Sequence, residues 1–284
     1  MQLNIREAQR LLYQAVESLS PTASLDAQVL LAHILGKTRA WVLAHPDAEL
    51  GEEQVIQLEQ ASARLGTGEP LPYILGSWEF FGLEFAVTPD VLIPRPETEL
   101  LVEHALSWLR ARPERRRAAD VGTGSGCIAI GLASQIPDLQ VIATDISPSA
   151  LWVAKQNTLR YGLEQRIHLV QANLFAGFRP AYNMQFDLIC ANLPYIPERT
   201  LETLSVSQWE PRLALCGGDD GLDLIRRLLM EVPGNLSPGG MLLLEIEFSL
   251  GQAVVSLTRS VLPYASVSVL PDLAGHDRLV VCQT

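Results

Sequence analysis

The 284-residue chain has little that would tie it to a metal, a membrane or a nucleic-acid backbone. It carries four cysteines, Cys127, Cys190, Cys216 and Cys282, far apart and never spaced as C-x-x-C. Cys190 and Cys282 sit in apolar, strand-like runs, which reads as reduced thiols in a cytosolic protein and excludes a disulfide framework. Five scattered histidines show no zinc spacing, so no metal is expected. No stretch approaches 18 apolar residues, so no membrane span is expected. The opening M-Q-L-N-I-R-E resembles neither a signal peptide nor an acid-poor transit peptide, and a cytoplasmic location is expected. Lys and Arg total 21 against 32 Asp and Glu, a net charge of −11, which argues against a broad nucleic-acid or anionic-lipid surface. Internal repeats and low-complexity segments are absent.

What is present is apolar bulk, 48% of residues, with 19% charged, enough for a sizeable core and too ordered a composition for disorder. Residues 1–70 read as a helical domain. Ile5, Ala8, Leu11, Leu12, Ala15 and Leu19 keep helical spacing up to Ser20-Pro21, Leu25 to Leu35 form a second helix capped by Gly36, and Val55 to Leu65 a third. Residues 71–99 read as a connection, with an aromatic-rich hairpin between Tyr73 and Val87 and then Arg95 held extended between Pro94 and Pro96. Residues 100–284 alternate strand and helix from Arg116 onward, which implies an α/β fold, a parallel sheet covered by helices on both faces. The last two short strands, Ser266 to Val269 and Arg278 to Val281, read as an antiparallel hairpin.

Two stretches carry chemistry. The strand ending at Val121 leads into Gly122-Thr123-Gly124-Ser125-Gly126 and then an apolar helix. Gly122 permits the sharp turn, Gly124 lets the backbone approach a ligand, and Gly126 brings helix and strand together. Asp145, 23 residues after Gly122 at the end of the next strand, is where a carboxylate accepts ribose hydroxyls. No Walker lysine follows the loop, which excludes a P-loop. Asp120 would repel a pyrophosphate and suits a ligand with an ammonium group. Together these favour S-adenosylmethionine over a dinucleotide, with Asn173 or its neighbour placed to meet the adenine. The second stretch is F-D-L-I-C-A-N-L-P-Y, Phe186 to Tyr195: a buried strand ending in a polar hook. Pro194 has no N–H and a fixed φ, and it biases Leu193 toward an extended conformation. The Asn192 side chain and the Leu193 carbonyl then offer two acceptors suited to an –NH2 group, with Tyr195 as an aromatic wall. Ligands of open α/β sheets bind at these strand ends.

The glycine loop with Asp145 and N-L-P-Y resembles the class I S-adenosylmethionine-dependent methyltransferases. L-I-P-R-P-E-T-E-L-L-V-E (Leu92 to Glu103), E-P-R-L-A-L (Glu210 to Leu215) with G-G-D-D-G-L-D (Gly217 to Asp223), and E-P-L-P-Y-I-L-G (Glu69 to Gly76) narrow the resemblance. They are similar to the HemK/PrmC family, the peptide chain release factor N5-glutamine methyltransferases, over nearly the whole chain. The resemblance implies a Rossmann-like sheet of seven strands, mostly parallel with an antiparallel last strand, beside a small N-terminal all-helical, substrate-recognising domain. It implies S-adenosyl-L-methionine held by Gly122, Thr123, Gly124, Ser125, Gly126, Asp145, Asn173, Leu174 and Asn192. The glutamine of a Gly-Gly-Gln motif in a class I release factor would be gripped by Asn192, Leu193, Pro194 and Tyr195, in a monomer with no direct nucleic-acid partner. The sequence departs from the family at the hook, usually N-P-P-Y; at Asn173, usually acidic; at Leu174, often larger; and at E-I-E-F-S-L-G-Q (Glu245 to Gln252).

An amide nitrogen is a poor nucleophile because its lone pair is delocalised. Two acceptors that hold its hydrogens and aim that lone pair would supply much of the rate by positioning, with oriented dipoles stabilising charge on nitrogen. No metal and no general base are called for. Two rivals use the same residues: an adenine-N6 nucleic-acid methyltransferase, whose substrate offers a similar amino group, and a non-catalytic S-adenosylmethionine-binding module. The acidic balance and the P-R-P-E-T-E stretch count against the first, the intact Asn192 and Tyr195 against the second.

Overall fold

The computed structural model describes residues 3–178 and 185–284; Met1 and Gln2 of the opening heptapeptide lie outside the described residues. The chain divides into two compact units, Met1–Ser77 and Trp78–Thr284.

The first unit holds α1 (Ile5–Val16), α2 (Ala23–Leu35), α3 (Arg39–Ala44), α4 (Glu52–Gly66) and α5 (Leu71–Leu75). Asn4 starts α1 by accepting from Glu7 N at 3.0 Å while the Glu7 carboxylate accepts from Asn4 N at 3.1 Å, a reciprocal cap of two free N–H groups. Ile5, Ala8, Leu12 and Val16 form its buried stripe and meet Leu30, Leu31, Val42, Leu58 and Leu65. α1 stops at Val16, so Leu19, expected on the apolar face, is 54% exposed beyond the helix. Gly36 closes α2 in the left-handed region at φ 61°, as its position implied. α3 and α5 are five to six residues long, too short for periodicity to reveal. In α5, Pro70 is the N-cap and Pro72 the second helical residue, positions where no N–H is needed.

The second unit opens with a hairpin, β1 (Ser77–Phe80) and β2 (Leu83–Ala86), turned by Phe81 and Gly82 at φ 54° and 71°. Two successive positive φ angles match the twist of the flanking strands. There follow α6 (Thr98–Arg110), β3 (Arg117–Val121), α7 (Cys127–Gln135), β4 (Gln140–Asp145), α8 (Pro148–Arg160), β5 (Ile167–Gln171) and β6 (Phe186–Ala191). The chain continues through α9 (Glu198–Leu201), α10 (Arg212–Leu215), α11 (Asp223–Asn235), β7 (Leu236–Glu245), α12 (Gly251–Val261), β8 (Ser266–Pro271) and β9 (Asp277–Gln283).

The sheet has seven strands in the order β5-β4-β3-β6-β7-β9-β8. β3 to β7 run parallel, and β9 enters antiparallel between β7 and β8. This is the mostly parallel, seven-stranded arrangement expected. The hairpin was legible, but not that its second strand would take the inner place. All six residues of β6 are buried, as its unbroken apolar run implied. Asp187 within it is an exception with a use: its carboxylate accepts from Arg116 N and Arg117 N at 3.0 Å each and pairs with Arg115 at 3.0 Å, fixing the entry to β3. Leu101, Val102 and Ile130 from α6 and α7 belong to one apolar layer of the core, and Ile225, Leu228 and Val254 from α11 and α12 to another. The chain crosses from one half of the sheet to the other between β3 and β6. That break is where open α/β sheets leave a crevice at their carboxyl ends.

Candidate active site

A cavity of about 460 Å³ lies at this crevice. Its lining includes Gly122 to Ser125, Asp145, Asn173 and Leu174 together with Asn192, Leu193 and Pro194. Two motifs some 70 positions apart in sequence thus face one space. Gly122, Gly124 and Gly126 all adopt positive φ, 76°, 55° and 84°, which a side chain would strain. Gly122 N and Thr123 N donate to Thr144 O at 2.9 Å each, folding the loop back over β4. A Cβ on Gly124 would meet no atom within 4 Å, so the loop leaves room for a ligand. A Cβ on Gly126 would come within 3.3 Å of Ile130 and 3.4 Å of Ala154, so the close approach this glycine permits involves α8 as well as its own helix.

Asp145 Oδ2 accepts from Gly124 N and Oδ1 from Ser147 N, both at 2.9 Å. A carboxylate has about four lone-pair sites, and with the Ile146 N–H also turned toward it the group still keeps acceptor capacity for a hydroxyl donor. Burial raises its pKa, and the N–H bonds of Ser147 and Gly124 offset part of that rise. Asn173 Oδ1 accepts from Arg227 Nη2 at 2.9 Å, so the amide at this position holds an arginine at the rim. Leu174 is buried with φ 59°, a conformation that costs a branched residue about 1–2 kcal/mol and is concentrated at ligand sites.

Asp120 is placed differently from the expectation. It is fully buried and does not line the cavity, because it turns beneath the loop, where Thr123 Oγ1 donates to Oδ2 at 2.6 Å and Ala129 N at 3.2 Å. Its Oδ1 has no partner, and burial pushes its pKa up to about 6 against the pull of those two bonds. It therefore holds the loop from beneath and does not face the cavity. Burial and the nearby Asp120 push the Cys127 thiol up to about 12, which leaves it inert despite lining the cavity.

In the hook, Asn192 Nδ2 donates to Thr98 Oγ1 at 3.2 Å. The Leu193 side chain is buried against the glycine loop: a Cβ on Gly122 would lie 3.1 Å from Leu193 Cδ2. Tyr195 is not among the lining residues. Its phenol is pushed up to about 12, chiefly by burial and then by Glu245, so it stays protonated at neutral pH. The hook is braced from outside. Ile196 N donates to Leu215 O at 3.0 Å, Gly217 N to Ile196 O at 2.9 Å and Glu198 N to Gly218 O at 2.9 Å. Gly217 and Gly221 abut the carbonyls of Pro194 and Tyr195 so closely that no Cβ fits.

Several cavity residues escaped the sequence reading. Arg95 lines the cavity and pairs with Glu210, which is 4% exposed and also accepts from Ile93 N at 3.2 Å. The two-proline frame around Arg95 was a signal, but its partner lies 115 positions away. Thr98 and Arg227 gave none.

Residues 5–76 match the family described as PrmC N-terminal domain, and residues 96–208 the one described as Methyltransferase small domain. A release factor glutamine methyltransferase of Moorella thermoacetica is 46% identical over 255 residues, 89% of each chain. Another, of Coxiella burnetii, is 37% identical over 283 residues, 99% of each chain. The chain belongs to the release factor glutamine methyltransferase family. The 16S rRNA N2 G1207 methyltransferase of T. thermophilus, solved with AdoMet and guanosine, shares the fold at 16% identity and a TM-score of 0.52, over 73% of this chain and 49% of that one.

The methyltransferase is S-adenosylmethionine-dependent, and the cavity fits that cofactor. Its volume falls within the several hundred Å³ usual for small-molecule sites. The glycine cradle is open at Gly124, and the Asp145 carboxylate keeps free acceptor sites at the cavity wall. Among the described residues no group of His, Cys, Asp and Glu could hold a metal, and no helix is long and apolar enough to cross a membrane.

Proposed function

We propose that this methyltransferase transfers a methyl group to the side-chain amide nitrogen of the glutamine in the Gly-Gly-Gln motif of class I peptide chain release factors. The observation that carries the reading is that Asn192, Leu193 and Pro194 line the same cavity as Gly122 to Ser125 and Asp145. The cofactor, when bound, supplies an activated methyl group on a sulfonium. Gly122 to Gly126 and Asp145 would hold it, Asp145 through its free lone pairs, with Asn173 and Leu174 contributing the wall toward its base. Asn192 Oδ1 and the Leu193 carbonyl accept the two hydrogens of the substrate amide. That grip takes the nitrogen out of free rotation and aims its lone pair, which is where most of the acceleration arises. The same two dipoles stabilise positive charge as the N–C bond forms and the S–CH3 bond would break to release S-adenosylhomocysteine, and the nitrogen then gives up one of its two hydrogens as a proton, past the hook acceptor that holds it, to solvent. Tyr195, protonated and half-buried, walls the hook.

The helical unit is read as the recognition module for the release factor, acting in a cytoplasmic monomer without a nucleic-acid partner. An adenine amino group could be gripped by the same hook, but the net charge of −11 disfavours a polyanion. The deciding experiment offers labelled cofactor to an intact release factor, to the same factor with Gln→Ala in its Gly-Gly-Gln motif, and to RNA. Label should enter the first alone; label in RNA or in the Gln→Ala factor would overturn the reading. Asn192→Ala should lower transfer roughly 100-fold, as does loss of one oriented dipole at a reacting centre.

A further inference from the structure

We infer that Thr98 and Glu245 form a polar relay that decides which end of the Asn192 amide faces the cavity. The inference rests on Asn192 being the group that grips the substrate amide. Thr98, the first residue of α6, and Glu245, the last of β7, are each 2% exposed. Thr98 Oγ1 accepts from Asn192 Nδ2 at 3.2 Å, and both side chains lie close enough to the Glu245 carboxylate to favour its ionised form. Its Oε2 has no partner. Thr98 and Asn192 line the cavity and Glu245 does not, so Glu245 acts through them. It is a positioning residue.

The direction of the relay follows from donor and acceptor counts. An ionised carboxylate only accepts. Thr98 accepts from Asn192, so its single hydroxyl proton is free to turn to the Glu245 carboxylate beside it, and toward Asn192 the hydroxyl only accepts. Asn192 must then present its NH2 inward, which leaves Oδ1 for the cavity. Reversed, the Asn192 NH2 would meet the substrate NH2 donor to donor and the grip would fail. An isolated asparagine has no such preference, so the buried acid has a use here.

The acid also makes the grip sensitive to pH. Burial raises Glu245 to about 7; the Thr98 bond and Arg278 of β9 pull it down, Glu97 ahead of α6 pushes it up, and the Asn192 bond pulls it down. The Tyr195 phenol and the Cys127 thiol also face this charge, and both stay protonated. Ionised Glu245 enforces the relay, so the active orientation is fixed above about pH 7 and loosens as pH falls through that value.

The test uses the full-length enzyme and three variants: Thr98→Val, which keeps shape without the hydroxyl, Thr98→Ser, which restores it, and Glu245→Gln. kcat is measured with intact release factor from pH 6 to 9, cofactor affinity by calorimetry, and the Asn192 side-chain NH2 by ¹⁵N NMR. Thr98→Val should lower kcat roughly 10- to 100-fold, by analogy with outer partners that orient metal ligands, with cofactor affinity unchanged. Thr98→Ser should recover most of the loss. The acid limb of the wild-type profile should vanish in Glu245→Gln, and the wild-type NH2 resonances should titrate near pH 7 and stop doing so in that variant. Unchanged kcat in Thr98→Val, or NH2 resonances of the wild-type protein that do not respond to pH, would overturn the relay. The NMR titration needs no substrate and no variant, so it judges the relay even where methyl transfer to the factor, and with it the functional reading, fails.

Discussion

Replacing Gly221 by alanine separates the brace behind the hook from the general strain of a left-handed residue. Gly221 has φ 82°, and a Cβ built on it would lie 2.2 Å from the Tyr195 carbonyl oxygen. An ordinary carbon–oxygen contact begins at about 3.3 Å, so carbonyl and methyl must part by roughly 1 Å. Gly162 supplies the control: φ 64°, with nothing within 4 Å of its Cβ position. Both substitutions force a side chain into the left-handed region, costing about 1–2 kcal/mol of stability. Only Gly221→Ala also pushes on the backbone that aims Asn192 and Leu193. A displacement of about 1 Å at a reacting centre costs about 100-fold in rate. Urea melts should therefore show both variants destabilised, Gly221→Ala more. At saturating substrate, Gly162→Ala should keep its kcat, and Gly221→Ala should lose about two orders of magnitude. If Gly221→Ala lost stability yet turned over normally, the loop would yield without moving the hook, and the idea that Gly217 and Gly221 fix its geometry would be wrong.

Asp145→Ala should weaken cofactor binding by roughly 1–3 kcal/mol in calorimetry, from lost charge-assisted hydrogen bonds and a released Gly124 amide; unchanged affinity in a folded variant would remove Asp145 from the site. Asp120 has a folded pKa of about 6, above its ordinary value, so it binds a proton more tightly in the fold and costs stability once ionised. Asp120→Asn should therefore gain on the wild type as pH rises from about 4 to 6, by at most about 3 kcal/mol at about 1.4 kcal/mol per unit; melts at pH 4.5 and 7.5 that show a constant difference would contradict this. Removing Met1 to Ser77 should leave cofactor binding intact, with circular dichroism confirming the fold, while kcat/KM for intact release factor falls sharply. A short Gly-Gly-Gln peptide should be a poor substrate with or without that unit, because remote binding energy aligns the reacting groups. Equal loss for both substrates would make the unit a structural appendage.

The parts legible in the sequence are those whose cause is local. Gly122, Gly124 and Gly126 follow a strand and precede a helix, and each takes the positive φ that only glycine adopts freely. The apolar run of β6 and the proline after Leu193 announce a buried strand and a turn within ten residues. The rest depends on side chains that meet only through the fold. Thr98 and Asn192 are 94 positions apart, Ile93 and Glu210 117, and neither pair leaves a periodic trace. Asp120 was misread for a subtler reason: nearness to the loop in sequence does not say which side of it the carboxylate occupies, and this one turns beneath, into the core. The glycines at 217 and 221 were visible as a family signature, but their reason, contact with the carbonyls of Pro194 and Tyr195, exists only in three dimensions.

The place of β9 has a consequence for exchange with solvent. β8 is bonded to the sheet through β9 alone, since β7 pairs with β9 from Met241↔Gln283 to Glu245↔Leu279. A detached two-stranded hairpin is marginal in water, so opening β9 strips the amides of β8 as well, and the two strands should trade deuterium as one cooperative unit. The same opening removes Leu279 from beside Glu245 and lets water reach the carboxylate. Dryness at the Asn192 relay thus depends on a hairpin that follows it in the chain and lines the sheet beside Glu245.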